Sequence, residues 1–214
     1  MSPAQSAAMR IELPGASHVK RPPVESEASY SPAAASATIG VAILVGAELM
    51  FFGGLVTAFL VLRAGAAWWP PPGQPRLPVG GTGVNSVILL LSGVLARGGL
   101  RAIERDDRQL LVRRLGLAAV LGAVFVMIQG YEWTRLLEHG LRISSGTYGA
   151  LFVTIVGAHA LHVIGGLIAL VTVLWLAAKG RYSRDNCGGV EACLIFWTFV
   201  VLLWPVLYVL VYIT

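Results

Sequence analysis

Between residues 38 and 213 the chain carries five apolar runs, at about 38–62, 84–102, 115–137, 148–178 and 190–213. Crossing the roughly 30 Å hydrocarbon core of a bilayer takes about 20 helical residues, and each run meets that length. Hydrocarbon offers no water to unpaired backbone groups, so only helices and closed barrels can span it. The two-residue alternation of barrel strands is absent. The expectation is an all-α, polytopic membrane helical bundle with five transmembrane helices. Charged residues make up 13% of the chain, against about 25% in soluble domains, and they cluster between the runs. The fourth run exceeds the membrane thickness and is expected to tilt or project.

Residues 1–37 are rich in Ala, Ser and Pro and contain no apolar run. They read as a flexible N-terminal tail rather than a cleavable signal peptide, which leaves 38–214 as the membrane domain. Twelve of the sixteen Lys and Arg fall on one side of the predicted spans: Arg10, Lys20, Arg21, Arg97, Arg101, Arg105, Arg108, Arg113, Arg114, Lys179, Arg181 and Arg184. Arg63, Arg76, Arg135 and Arg142 fall on the other. The positive-inside rule then places the N-terminus in the cytoplasm and the C-terminus outside. The net charge of +5 follows from this topology and does not point to nucleic acid. Cys187 and Cys193 match no metal or redox spacing. In the first outer connection, Trp68 and Trp69 before PPPGQPRLP suit the headgroup level, followed by a stiff link.

Ionisable groups at membrane depth are costly and usually face protein or a cavity. They are Glu48 in the first run, Glu132 in the third and His159 and His162 in the fourth, with Glu191 opening the fifth and Gln129 and Asn85 as neutral companions. Gln129 with Glu132, and His159 with His162, are each three residues apart and share a helix face, so the two faces can meet across an interface. Small residues beside them, Gly53, Gly54, Gly157, Gly165 and Gly166, fit helix packing. Three readings stay open on chemistry: hydrogen-bonded packing, proton or lipid chemistry, and a metal or haem site. Against the last, no run contains the Glu-x-x-His of di-iron bundles, and histidines three apart on one helix cannot sandwich one iron.

Six motifs in order resemble subunit III of the haem–copper respiratory oxidases, the cytochrome c oxidase subunit III family, over residues 38–214. They are AELMFFGGLVTAF, NSVILLLSG, LGAVFVMIQGYEW, ISSGTYGALF, HALHVIGG and EACLIFWTFVVLLW, the last keeping Glu191, Trp197 and Trp204 at family spacing. The resemblance implies a non-catalytic integral subunit of a bacterial inner-membrane terminal oxidase, in its five-span form. This subunit holds no cofactor; haem and copper belong to partner subunit I. Subunit II, a small subunit IV and phospholipid complete the expected partners of a complex that couples oxygen reduction to proton translocation. Glu48, Gln129, Glu132, His159, His162 and Glu191 are then a buried polar or lipid-associated cluster, and Trp68, Trp69, Trp197 and Trp204 interface anchors.

The chain departs from the family pattern in three ways. Two N-terminal spans found in many members have no counterpart, so a lipid site they complete must be completed by another subunit or lost. Thr198 and Val201 replace a His and an Asp of the fifth span, and Ser145 stands where the outer loop often has Asp. Pro205, late in the last run, suggests a local kink. Two rival readings are an accessory subunit of a nitric oxide reductase and a stand-alone transporter or membrane enzyme. The second predicts an inverted repeat or broken helices, and the sequence shows neither.

Overall fold

The computed structural model describes residues 32–71, 77–141, 144, 146–184 and 186–213. The tail up to residue 31, Arg76, Arg142 and Ser145 lie outside them. Five helices follow in order: α1 Pro32–Ala64, α2 Val79–Glu104, α3 Arg108–Glu138, α4 Thr147–Ala178 and α5 Gly188–Tyr208. All five are long and apolar enough to cross a membrane, so the chain is a multi-pass membrane protein of the expected all-α class. Most helices overrun the apolar runs. α1 takes in residues 32–37 of the presumed tail, α2 begins five residues before residue 84, and α3 begins seven before residue 115. The overhangs are Ala-, Gly- or Arg-rich, which hydropathy trims away although their backbone continues the helix in the headgroup zone.

The helix ends on the Arg-rich side are closed by side chains. Asp107 caps α3 by accepting the Leu110 backbone N–H at 2.9 Å. Arg108 donates to the carbonyls of Ala177, at 3.1 Å, and of Ala178. These are orphan acceptors at the end of α4, where a cation also suits the helix dipole. The chain then turns at Gly180, whose φ of +70° lies in the left-handed region that glycine enters without steric cost.

α2, α3, α4 and α5 pack in sequence around a common core, with α5 closing against α2; α1 lies outside, on α4 and α5. Among the described side chains of α1 only Phe52 and Phe59 are buried, seven residues apart on one stripe. The core is keyed by Trp197 of α5, which has no exposed surface. Its ring lies where any Cβ on Gly122 of α3 would sit 2.9 Å away, and any on Gly166 of α4 3.0 Å away. Its indole N–H donates to Ser92 Oγ of α2 at 3.1 Å, and Ser92 in turn donates to the Ala118 carbonyl of α3 at 2.8 Å. One side chain thereby fixes three neighbouring helices. Trp204 repeats the device lower on α5, donating to Ser86 Oγ at 2.8 Å, while Ser86 donates to the Thr82 carbonyl at 2.7 Å.

These contacts correct the expectation for Trp197 and Trp204: both lie inside the bundle and not at its rim. Their N–H groups find acceptors on α2, so the rings can sit at full depth where a headgroup partner is not needed. Trp68 is 75% exposed, whereas Trp69 packs edge-on between Phe59 and Tyr148, at 5.5 and 5.1 Å. Pro205 lies within α5, and four residues later the helix widens to a π turn, Val209–Ile213. The missing N–H of Pro205 loosens the hydrogen-bond ladder just before that point.

Replacing Gly122 with Val pushes a branched side chain into Trp197, which has nowhere to go. The expected cost is about 1–3 kcal/mol, read as a lower midpoint in denaturant unfolding in detergent. Gly116→Ala, with open space around its Cβ position, is expected to leave the midpoint unchanged or slightly raised.

Candidate functional site

The polar residues form two groups, with His159 between them. In the first, His162 Nε2 of α4 lies 2.9 Å from Glu48 Oε2 of α1, both about one-fifth exposed. His162 Nδ1 lies 2.7 Å from the Ala158 carbonyl. A carbonyl only accepts, so Nδ1 carries a proton, and a second proton must lie between Nε2 and Glu48. The pair is either a neutral carboxylic acid bonded to imidazole or an imidazolium carboxylate. Phe51 stacks near His162 with centroids 6.4 Å apart, and Phe52 meets it edge-on at 5.1 Å. These rings shield the pair on the α1 side.

The second group joins α2, α3 and the C-terminal turn. Thr82 donates to Glu132 Oε2 at 2.7 Å, and Gln129 Nε2 reaches the same oxygen at 3.4 Å and Tyr212 Oη at 3.2 Å. Asn85 donates to the Phe125 carbonyl at 3.1 Å and to Gln129 Oε1 at 3.4 Å. The Gln129–Glu132 face therefore meets α2 and Tyr212, and the His162 end of the other face meets α1. The sequence-based picture of the two faces bonding directly to each other is replaced by this division. Sequence reasoning missed Thr82, Ser86, Ser92 and Tyr212. A signal existed in α2, where Thr82, Asn85, Ser86, Leu89, Ser92, Gly93 and Ala96 recur at helical spacing as one buried face.

His159 stands between the groups. It is 1% exposed, stacks on Trp204 at 5.0 Å with a 22° interplanar angle, and has Phe52 edge-on at 6.4 Å. Neither ring nitrogen has a hydrogen-bond partner among the described residues. Glu191 lies elsewhere, in the first turn of α5, accepting from Cys187 Sγ at 3.3 Å. Cys187 and Cys193 form no disulfide with each other. At the two departures from the family pattern, Thr198 Oγ1 accepts from Arg97 Nε at 3.4 Å, and Val201 is buried against Gly93. Val201 thus serves α2–α5 packing.

Among the described residues no three of His, Cys, Asp and Glu converge on a point where a metal ion could sit. The geometry adds a reason specific to His162: both its nitrogens are already engaged, so ligation would break the Glu48 pair or the Ala158 bond. What the arrangement does is tie helices together by hydrogen bonds in a medium that offers no alternative partners.

A double-mutant cycle on Glu48→Leu and His162→Leu is expected to give a coupling of about 0.6–1.7 kcal/mol, the range for hydrogen bonds between membrane helices. Unfolding midpoints of the two single variants and the double variant measure it. Gln129→Leu removes the donor to Tyr212 and one acceptor of Asn85, which keeps the Phe125 carbonyl, and is expected to cost about 1–3 kcal/mol alone.

A family model described as cytochrome c oxidase subunit III matches residues 27–214. The cytochrome c oxidase subunit 3 of Synechocystis sp. is 39% identical over 174 residues, covering 81% of this chain and 73% of that protein. The protein of the same name from Corynebacterium diphtheriae is 34% identical over 178 residues, 82% of this chain and 86% of the relative. That of Thermostichus vulcanus is 32% identical over 176 residues, with the same coverages. The match runs through every helix described above, and the chain belongs to the cytochrome c oxidase subunit III family.

Proposed function

We propose that this chain is a non-catalytic integral subunit of a haem–copper terminal oxidase, packed beside the subunit that carries haem and copper and supporting its activity. The family match from residue 27 to 214 carries the reading. The nitric oxide reductase and transporter readings find no support among relatives named as oxidase subunits. Subunit I, subunit II and a small subunit IV are the proposed partners. In this reading Glu48, Gln129, Glu132, His159 and His162 hold helices in register, and Glu191 sits at the inner end of α5.

Phospholipid is the proposed occupant of two grooves that combine cations with apolar walls. One, of about 320 Å³, is lined by Arg97, Arg101 and Glu104 together with Leu100, Leu194 and Ile195. The other, of about 600 Å³, has Arg135 and His139 beside Ile128 and Leu136. A phosphate suits the guanidinium in each, and acyl chains suit the walls. The proposed setting is the bacterial cytoplasmic membrane, with the N-terminus inside and the C-terminus in the periplasm.

Extraction in mild detergent through a tag on this chain is expected to bring down a larger apolar subunit with a haem spectrum in the reduced-minus-oxidised difference. Stripping this chain off is expected to leave all haem with the partner. Haem retained by the stripped chain would overturn the reading. For orientation, alkaline phosphatase fused after Thr214 is expected to be active and green fluorescent protein at the same place dark. The opposite pattern reverses the topology.

A further inference from the structure

The groove between α2 and α5 on the Arg-rich side, about 320 Å³ in volume, carries its charges in a fixed order. Arg97, Arg101 and Glu104 of α2 stand at i, i+4 and i+7 and so form one stripe, and all three are exposed. Leu194 and Ile195 of α5 make the facing wall, and Thr198 lies deeper on the same helix. Arg97 Nε donates to Thr198 Oγ1 at 3.4 Å, which holds the guanidinium across the cleft.

The depth of each charge follows from the helix. α2 has 26 residues and is about 39 Å long, against roughly 30 Å of hydrocarbon, so its last turn stands among the headgroups. Glu104 closes the helix. Arg101 lies about 4.5 Å deeper along the axis and Arg97 about 10 Å deeper. From the bilayer outward the order is two cations, then one anion, beside an apolar wall. A phospholipid offers a matching order of acyl chains, phosphate and headgroup terminus. Its phosphate falls at the arginines, where charge-assisted hydrogen bonds are strong and where a guanidinium at the edge of the hydrocarbon needs a counter-charge.

The terminus then meets Glu104, and its chemistry decides between lipids. A second phosphate, as in a diphosphatidyl lipid, or the carboxylate of a serine headgroup would face a like charge. Glycerol hydroxyls can donate to the carboxylate but leave its charge unbalanced. A trimethylammonium balances the charge but has no N–H to donate. A primary ammonium does both. We propose that this groove selects phosphatidylethanolamine, with its phosphate on Arg97 and Arg101 and its ammonium on Glu104. Such selection presupposes the phospholipid occupant proposed above and adds the headgroup it carries.

The test is native mass spectrometry of the complex, purified through a tag on this chain and exchanged into nanodiscs of equal parts phosphatidylethanolamine and phosphatidylglycerol. The lipids that stay bound when the nanodisc is stripped away are counted and weighed. The double variant Arg97→Gln with Arg101→Gln is expected to lose a lipid that the wild type keeps, and the lost species to be phosphatidylethanolamine. Glu104→Gln is expected to keep the lipid count and shift its composition toward phosphatidylglycerol by about 1.5- to 5-fold, the factor one exposed ion pair contributes. If the lost species is phosphatidylglycerol, or Glu104→Gln leaves the composition unchanged, the headgroup proposal is overturned while the lipid occupant stands. A double variant that keeps every lipid, or that loses only inorganic phosphate by mass, overturns both. A density map of the wild type in the same nanodiscs reads the site without any variant. A headgroup with its phosphate against Arg97 and Arg101 is expected there, and an empty groove or a protein side chain in it overturns the proposal. Haem in the purified complex reports separately on the oxidase-subunit reading.

Discussion

The bundle depends on the seat of one indole. Trp197 fills the space left by two missing side chains, at Gly122 and Gly166, and spends its single N–H on Ser92. Association of helices in a bilayer gains little from apolar burial, because lipid tails are as apolar as leucine; close packing and hydrogen bonds must supply it. Trp197 supplies both at once. The glycines let α3 and α4 approach the flat ring, and the Ser92 hydroxyl passes the bond on to the Ala118 carbonyl. Trp204 with Ser86 extends the same scheme, and its ring then provides the surface on which His159 stacks. The polar residues are thereby positioned by the aromatic ones.

The same economy accounts for the histidines. A polar group without a partner is costly in hydrocarbon, and His162 avoids that cost through Ala158 on its own helix and Glu48 on α1. Among its described side chains α1 buries only Phe52 and Phe59, and the Glu48–His162 pair gives it a polar attachment to α4. Much of α1 is apolar and exposed, Ile39, Ile43, Leu49, Met50 and Val61 among it, as befits an element bordered by lipid or by other chains. Membership in an oxidase subunit family and an outlying helix of this kind agree with each other.

The departures from the family pattern also become intelligible as packing. Where the resemblance led us to expect an acid, Val201 interlocks with Gly93. Where it led us to expect a histidine, Thr198 meets Arg97 with a hydroxyl. The α2–α5 seam at these positions is closed by shape and one weak polar contact.

Much of this was legible in the chain itself. Length and apolarity of the runs determined five membrane helices, because hydrocarbon admits few alternatives for the backbone. The spacing of His159 with His162 and of Gln129 with Glu132 determined which residues share a face. The sequence alone did not decide which face meets which helix, because periodicity fixes a residue's angle about its own axis and says nothing about neighbours. Tertiary structure sent His162 to α1 and Glu132 to α2, and left His159 stacked on Trp204. It also turned Trp197 and Trp204 inward: composition alone does not say whether a tryptophan of a membrane helix meets the headgroups or the core. The serine waiting on the next helix, which only the packed bundle brings within reach, made the difference.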